Sequence, residues 1–344
     1  MKKLIVLFAG ILISASCSTV RTQNQGGEVP FMTKSFSASS IKEVEAATTG
    51  GSLTLTGDAG SKATVEVYAS RSNWSAEKIK QTLEDNYTID IRVESGKLYA
   101  IAKQKSSNFS WNQQGLSISF KIFVPKQVSS NLRTSGGSIH ISNMAGSQDF
   151  KTSGGSLSID NVSGNTNGVT SGGSITVIGS KDNIDLRTSG GSITAKDCTG
   201  MISLKTSGGS LTLNNLNGNV TATTSGGSIT AADINGVLKT GTSGGSVRLD
   251  NISGSLDATT SGGSMEVRIK SVSDYVKLSN SGNLSLTLPA GKGFNLNVKA
   301  NRIETSGMKN FRGSTESERI EGTVGNGGPE INLRSSQRVS LSFE

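Results

Sequence analysis

The string Thr-Ser-Gly-Gly-Ser begins at Thr134, Thr152, Thr170, Thr188, Thr206, Thr224, Thr242 and Thr260, each start 18 residues after the last. A fixed period of this length constrains architecture more than any local propensity, because each unit must bury its apolar side against a copy of itself. Counted from the first glycine of each unit, positions 4 and 6 are mostly apolar, as in Ile193 and Ala195, Leu211 and Leu213, or Val247 and Leu249. Position 9 carries Cys198, Leu216, Ile234 and Ile252, and position 11 is Gly200, Gly218, Gly236 and Gly254. Positions 13 and 15 are apolar again, as in Ile202 and Leu204 or Leu256 and Ala258. Such alternation means strands with one buried face. Each unit is expected to hold two short strands and two turns, too little to enclose a core alone. The predicted fold class is therefore all-β: a single-stranded parallel β-solenoid, or β-helix, with 18-residue coils. With coils ~4.8 Å apart, the repeats make a rod roughly 40 Å long.

Each recurring residue has an expected structural reason. The glycine pairs Gly154 and Gly155, Gly172 and Gly173, Gly190 and Gly191, Gly208 and Gly209, and Gly226 and Gly227 mark a corner. There the backbone is expected to take positive φ and to leave no room for a Cβ. The threonine at position 17 shares the inward parity of positions 13 and 15, so its hydroxyl is placed to bond corner backbone groups. At position 8, Asn143, Asn161, Asp197, Asn215, Asp233 and Asn251 form a polar column at the opposite corner, where these residues tolerate turn conformations. The 43 Gly, 4 Pro and 5% aromatic residues fit many tight turns and exclude a single large globular core.

The start of the chain reads as a targeting segment. Lys2 and Lys3 supply the charged region, residues 4–13 the apolar stretch, and Ser14, Ala15 and Ser16 the small-residue site. The apolar stretch is too short to span a bilayer. Cys17 in this context resembles the lipobox of bacterial lipoproteins, although Ser14 stands where that motif favours Leu. The expected division is a signal peptide over 1–16, a lipid-anchored tether over 17–30, and irregular β-rich coils over 31–130. Regular repeats follow over 131–270, then irregular coils and a cap over 271–344. The implied location is the bacterial envelope, as an outer-membrane lipoprotein held by its lipid. Losing Lys2 and Lys3 lowers the formal charge from +8 to +6. No dense basic block interleaved with aromatics occurs, so nucleic acid is not an expected partner.

Outside the strict repeat, residues 49–55 look like an opening coil, and 62–69 and 87–93 alternate like strands. Between these, 75–85 reads as a short helix, with Ser75 as N-cap and Ile79 and Leu83 on one face, placed to cover an open end of the stack. Residues 104–115 form a polar loop bearing Phe109 and Trp111, a candidate sugar contact. Past Met265 two residues are inserted, residues 280–286 look like another turn and strand, 325–328 reads as a loop and 338–344 as a closing strand.

Three features together, the lipoprotein-like start, the irregular entry ending in Phe123-Val124-Pro125-Lys126, and the serial Ser-Gly-Gly-Ser-Ile/Leu units, resemble a candidate adhesin family of unknown function. The resemblance covers about residues 40–340. It implies a bacterial envelope protein with a β-helix akin to the pectate-lyase-like superfamily, and it brings no catalytic or ligand residues.

The residues themselves favour a non-enzymatic module. A polysaccharide-degrading lyase or hydrolase on this scaffold needs a groove of paired carboxylates. Asp149, Asp185 and Asp257 share position 14 but are separated by one or more coils, with Lys151 and Arg187 beside the first two. The lone His140 is outward, Cys198 takes an inward site held elsewhere by Leu, Ile, Val or Met, and the Gly-Gly-x-Gly-x-Asp pattern of calcium rolls is missing, so no metal or cofactor is expected. Two arrays are candidate contact surfaces: the column Arg133, Lys151, Arg187 and Lys205 at position 16, interrupted by Val169, and the hydroxyl grid of Ser192, Thr194, Ser210 and Thr212. The expected role is an adhesin-like structural or binding module presenting a rigid surface to a glycan or protein. The alternatives are the polysaccharide-degrading enzyme and a scaffold that self-associates end to end.

Overall fold

The computed structural model describes residues 29–58, 60–105 and 115–344. The signal segment, Cys17, nearly all of the expected tether, and Phe109 and Trp111 lie outside the described residues. Among those described, strands dominate, joined by one α-helix, Ala76–Asn86, and one 3-10 turn, Ala38–Ser40.

The strands form a long, mostly parallel sheet consistent with a β-solenoid. In the regular part each residue lies beside its equivalent in the next unit: Ile193 faces Leu211, Leu211 faces Ile229, and Ile229 faces Val247. Two parallel ladders result. The first runs through Ile139–Ser142, Leu157–Asp160 and Ile175–Ile178 into the opening half of Ile193–Lys205. The second runs through Ser129–Thr134, Ala145–Lys151, Ser163–Thr170 and Lys181–Thr188 into the closing half of that same strand.

Two short strands per unit hold only in the early units. From residue 193 onward they merge into single runs, Ile193–Lys205, Leu211–Thr223, Ile229–Thr242 and Val247–Thr260, bent at two points. The first bend is position 8, where Asp197, Asn215, Asp233 and Asn251 have φ of 55°, 52°, 57° and 55°. Asn and Asp are the side chains that best tolerate this left-handed region. The second is position 11, where Gly200, Gly218 and Gly236 have φ of 122°, 121° and 119°. In the unit between residues 172 and 188 the residue types are exchanged, with Gly179 (φ 61°) at the first bend and Asp182 (φ 78°) at the second.

The glycine pairs correct the expectation made for them. None takes positive φ, and in the five pairs from Gly154 to Gly227 only the second glycine is sterically required, whereas at the last corner a Cβ on Gly262 would also come within 2.7 Å of the Gly244 carbonyl oxygen. A Cβ on Gly191 would lie 2.1 Å from the carbonyl oxygen of Gly173, and one on Gly209 would lie 2.1 Å from that of Gly191. On Gly190 or Gly208 the nearest atom would be 3.5 Å away, an ordinary contact.

The threonine at position 17 fastens each corner to the next. The hydroxyl of Thr206 donates to the Gly191 carbonyl at 2.7 Å and accepts from the Gly209 amide at 3.3 Å. The same pair of bonds recurs at Thr152, Thr170, Thr188, Thr224, Thr242 and Thr260. These hydroxyls lie in the interior, where an unpaired corner carbonyl is costly.

The interior is one continuous apolar column. At position 15 a large and a small residue compensate: Phe150 lies beside Gly168, on which a Cβ would come within 2.3 Å of the Phe150 ring. Position 13 turns polar in the same units. Buried Gln148 accepts from the Ser130 hydroxyl at 2.5 Å and donates to the Val128 carbonyl at 2.8 Å. Its neighbour Thr166 is buried with no partner for its hydroxyl oxygen. Thr166→Val keeps the shape and removes an unsatisfied group, so it should stabilise the fold by about 1 kcal/mol; a lower thermal midpoint for that variant would contradict the assignment. Cys198 is fully buried, its thiol beside the Lys196 carbonyl at 3.2 Å, and burial pushes its pKa up from the ordinary value. Cys198 should therefore react with dithionitrobenzoate only as fast as the rod opens, which stopped-flow absorbance would register.

Both ends depart from sequential winding. Residues 49–55 do belong to the stack, but not as its opening rung. Glu43–Thr48 lies between Lys97–Gln104 and Ser129–Thr134, and Leu53–Gly57 lies between Ser117–Val124 and Ile139–Ser142. Beyond them the chain reverses: Lys62–Ser70 pairs antiparallel with Ser117–Val124, Met32–Ser37 with Lys62–Ser70, and Tyr87–Glu94 with Lys97–Gln104. Helix Ala76–Asn86 starts as expected, with the Ser75 hydroxyl accepting from the Lys78 amide and Leu83 buried in the core. It packs on the strands Lys62–Ser70 and Tyr87–Glu94 at this end. Lys34, on the outermost strand, donates to the Ile91 carbonyl at 3.1 Å and so blunts that edge against another chain.

The other end repeats this device. Glu330–Ser335 lies between Met265–Asn280 and Phe294–Lys299, and Arg338–Phe343 lies between Leu284–Leu288 and Arg302–Ser306. The segment expected to close the rod is thus inside it. The outer strands are Arg302–Ser306 and the antiparallel pair of Arg319–Val324 with Phe311–Thr315.

Candidate functional site

A shallow depression of about 700 Å³ lies on the outward face of the second ladder. Its walls come from positions 12, 14 and 16 of successive units, because an outward parity on stacked parallel strands brings like positions into columns about 4.8 Å apart. Position 12 reads Asn165, Asn183, Met201, Asn219 and Val237 along the rod. Asn183 donates its amide to the Asn165 carbonyl oxygen at 2.8 Å. The ladder stops there, since the next rung is Met201. That leaves Asn183 with a free acceptor facing Met201, and Asn219 on the far side makes no side-chain hydrogen bond among the described residues. Met201 is 60% exposed and Val237 37% exposed, the two apolar side chains of this otherwise amide column.

The carboxylates around the depression are already matched by arginines. Asp185 takes both Arg187 bonds, at 3.1 and 2.7 Å. Asp149 accepts from Arg133 at 3.2 Å and from the Asn167 amide at 2.7 Å. The basic column predicted at position 16 does stack, Arg133 on Lys151, Val169 on Arg187, and Arg187 on Lys205. Its two arginines are nevertheless neutralised, and only Lys151 and Lys205 stand outside the described ion pairs.

The hydroxyl grid lies on the first ladder, away from this depression. Its serines serve the scaffold, Ser192 accepting from the Ser210 amide at 3.1 Å and Ser210 from the Ser228 amide at 3.2 Å. Thr194 and Thr212 stack beside each other and are exposed. The position 8 column forms its own side-chain ladder, Asn215 donating to Asp197 at 2.6 Å and Asn251 donating to Asp233. An amide between two aspartates keeps carboxylates of neighbouring units from facing each other directly. His140 is half-buried on the outward side, flanked by Thr54 and Ser158. Among the described residues no group of three or more His, Cys, Asp or Glu side chains is arranged to hold a metal ion.

Asn165, Asn183, Asn219 and Met201 were not singled out by the repeat pattern. The signal that could have found them was an apolar residue at an outward position, Met201 and again Val237, within an otherwise amide-rich column.

A protein family model matches part of the chain. The profile of the Toastrack DUF4097 family covers residues 178–337. That span is similar to the Toastrack DUF4097 family. It holds Asn183, Asp185, Arg187, Met201 and Asn219 of the depression, while Asn165 and Asn167 precede it. No curated protein matches the chain. Among solved structures, the chain is similar to a candidate lipid binding protein of Parabacteroides distasonis at 15% identity, covering 91% of this chain and 96% of that one, with a TM-score of 0.31. A candidate adhesin of Bacteroides fragilis is 12% identical over 91% of this chain and 96% of its own, with a TM-score of 0.27. A candidate cell adhesion protein of Clostridium sporogenes is 11% identical over 91% and 98%, with a TM-score of 0.19.

Proposed function

We propose that this chain is a non-enzymatic, adhesin-like binding module of the bacterial envelope, a β-solenoid wound in 18-residue coils and anchored through a lipid on Cys17. Its contact surface is the outward face of the second ladder. The observation that carries this reading is the exposed Met201 set between the unpartnered amide ends of Asn183 and Asn219. An apolar step with hydrogen-bonding capacity left open on both sides is what a ligand face offers. A rigid ladder holds these groups in place without cost at the moment of binding. Binding is favoured over bond cleavage because Asp149 and Asp185, the carboxylates nearest the groove, are engaged by arginines and not paired with each other.

A glycan array probed with the full chain tests the assignment of the face. Features bound by the wild type should be lost in Thr221→Glu, which intrudes on the groove, and retained in Thr230→Glu, on the other ladder. The reverse pattern would move the contact surface to the hydroxyl grid. Release of reducing ends or unsaturated sugars from any bound glycan would restore the enzyme reading.

A further inference from the structure

We infer that the ligand of the second-ladder face is an uncharged, linear polysaccharide lying along the rod axis, an inference that rests on the binding role proposed above. Three observations favour this class. First, no ionised side chain occurs in the position 12 column from Asn165 to Val237, and the aspartates beside it are neutralised by Arg133 and Arg187. Lys151, Lys205 and Lys239, unpaired among the described residues, flank the column but are not in the lining of the depression, so within it an anionic polymer meets no free cation and would have to displace the pair of Asp185 with Arg187.

Second, the exposed groups match the two surfaces of a pyranose ring. Its faces carry C–H bonds that pack on a polarisable thioether such as Met201. Its rim carries hydroxyls, each a donor and an acceptor, and an amide offers one of each in fixed geometry. Asn183 has its acceptor free toward Met201, and Asn219 has both functions free.

Third, the spacing is that of a polymer and not of a single sugar. The two apolar steps, Met201 and Val237, are separated by the one amide rung of Asn219. Two rungs span about 9.6 Å, comparable to the length of two linked pyranose rings in an extended chain. A polysaccharide with a two-residue repeat would therefore meet Met201 and Val237 with equivalent ring faces, and Asn219 with the hydroxyls between them.

The test is affinity gel electrophoresis of the full chain in hydroxyethyl cellulose, an uncharged glucan, and in polygalacturonate, an anionic one. The wild type should be retarded by the uncharged polymer alone, with no sensitivity to salt. Met201→Ala and Asn219→Ala should each weaken retardation about tenfold, while Thr230→Ala should leave it unchanged. Met201 is 60% exposed, so its truncation leaves the core intact, and an unaltered melting curve checks this. No retardation in hydroxyethyl cellulose, or retardation indifferent to both variants, overturns the inference. Salt-sensitive retardation in polygalacturonate overturns it too. In that case Thr221→Glu separates the two levels: loss of polygalacturonate binding keeps the face and rejects the ligand class, and persistence rejects the face itself.

Discussion

Gly209→Ala is expected to cost about 3 kcal/mol or more and to melt the middle of the rod, while Gly208→Ala, one residue earlier, should stay within about 1 kcal/mol of the wild type. The two glycines are chemically identical neighbours in every unit. What separates them is the direction of the missing Cβ. On Gly209 it would point at the Gly191 carbonyl, 2.1 Å from the oxygen and 2.4 Å from the carbon, and backbone cannot rotate out of the way as a side chain can. The Gly191 oxygen also accepts the Thr206 hydroxyl, so displacing it breaks the corner fastening as well. On Gly208 the Cβ would meet nothing closer than 3.5 Å. Thermal melts of both variants by circular dichroism decide the point. Equal losses would mean that the pair is needed for its conformation, against the absence of positive φ at either position.

Deleting residues 329–344 should do more than shorten the rod by one rung. The strands Glu330–Ser335 and Arg338–Phe343 lie between partners on both sides, and they bring buried Ile331, Leu333, Val339, Leu341 and Phe343 into the core. Removing five such side chains forfeits burial on the order of 10 kcal/mol, and it separates Phe294–Lys299 and Arg302–Ser306 from the body of the ladder. Hydrogen exchange should show protection lost over residues 294–324 and kept over 193–260. Retained protection at 294–324 would mean that the outer strands close onto Met265–Asn280 and Leu284–Leu288 unaided, and that the interposed pair is dispensable.

The regular part of the fold was legible because a solenoid writes its packing into the sequence as a period. Ile193, Leu211, Ile229 and Val247 recur at one spacing for the same reason that they touch. The inward threonines and the Asn/Asp bends were legible on the same grounds. The role of the glycine pairs was not, since a sequence shows that a Cβ is absent without showing whether a dihedral or a neighbouring carbonyl forbids it. Nor were the interposed ends: Glu43–Thr48 meets Lys97–Gln104 and Ser129–Thr134 across unequal gaps in sequence, and contacts of that kind leave no period. The candidate site was hidden differently. Asn183 and Asn219 look like ordinary wet-face residues until the register places Met201 between them, and the neutralisation of Arg187 by Asp185 depends on rotamers that spacing alone does not fix.

The self-consistent corner has a consequence for the length of the molecule. The internal units offer their neighbours the same threonine bonds and, from Ser174 to Ser246, the same serine acceptor, as between Thr206 and Gly191 or Ser192 and Ser210. An extra unit slipped between two others would find all of its partners waiting, and the two interwoven ends would not register the change. The separation of those ends is thus a quantised dimension, adjustable by gene duplication in steps of about 4.8 Å, so reach can evolve independently of whatever the ends and the faces do.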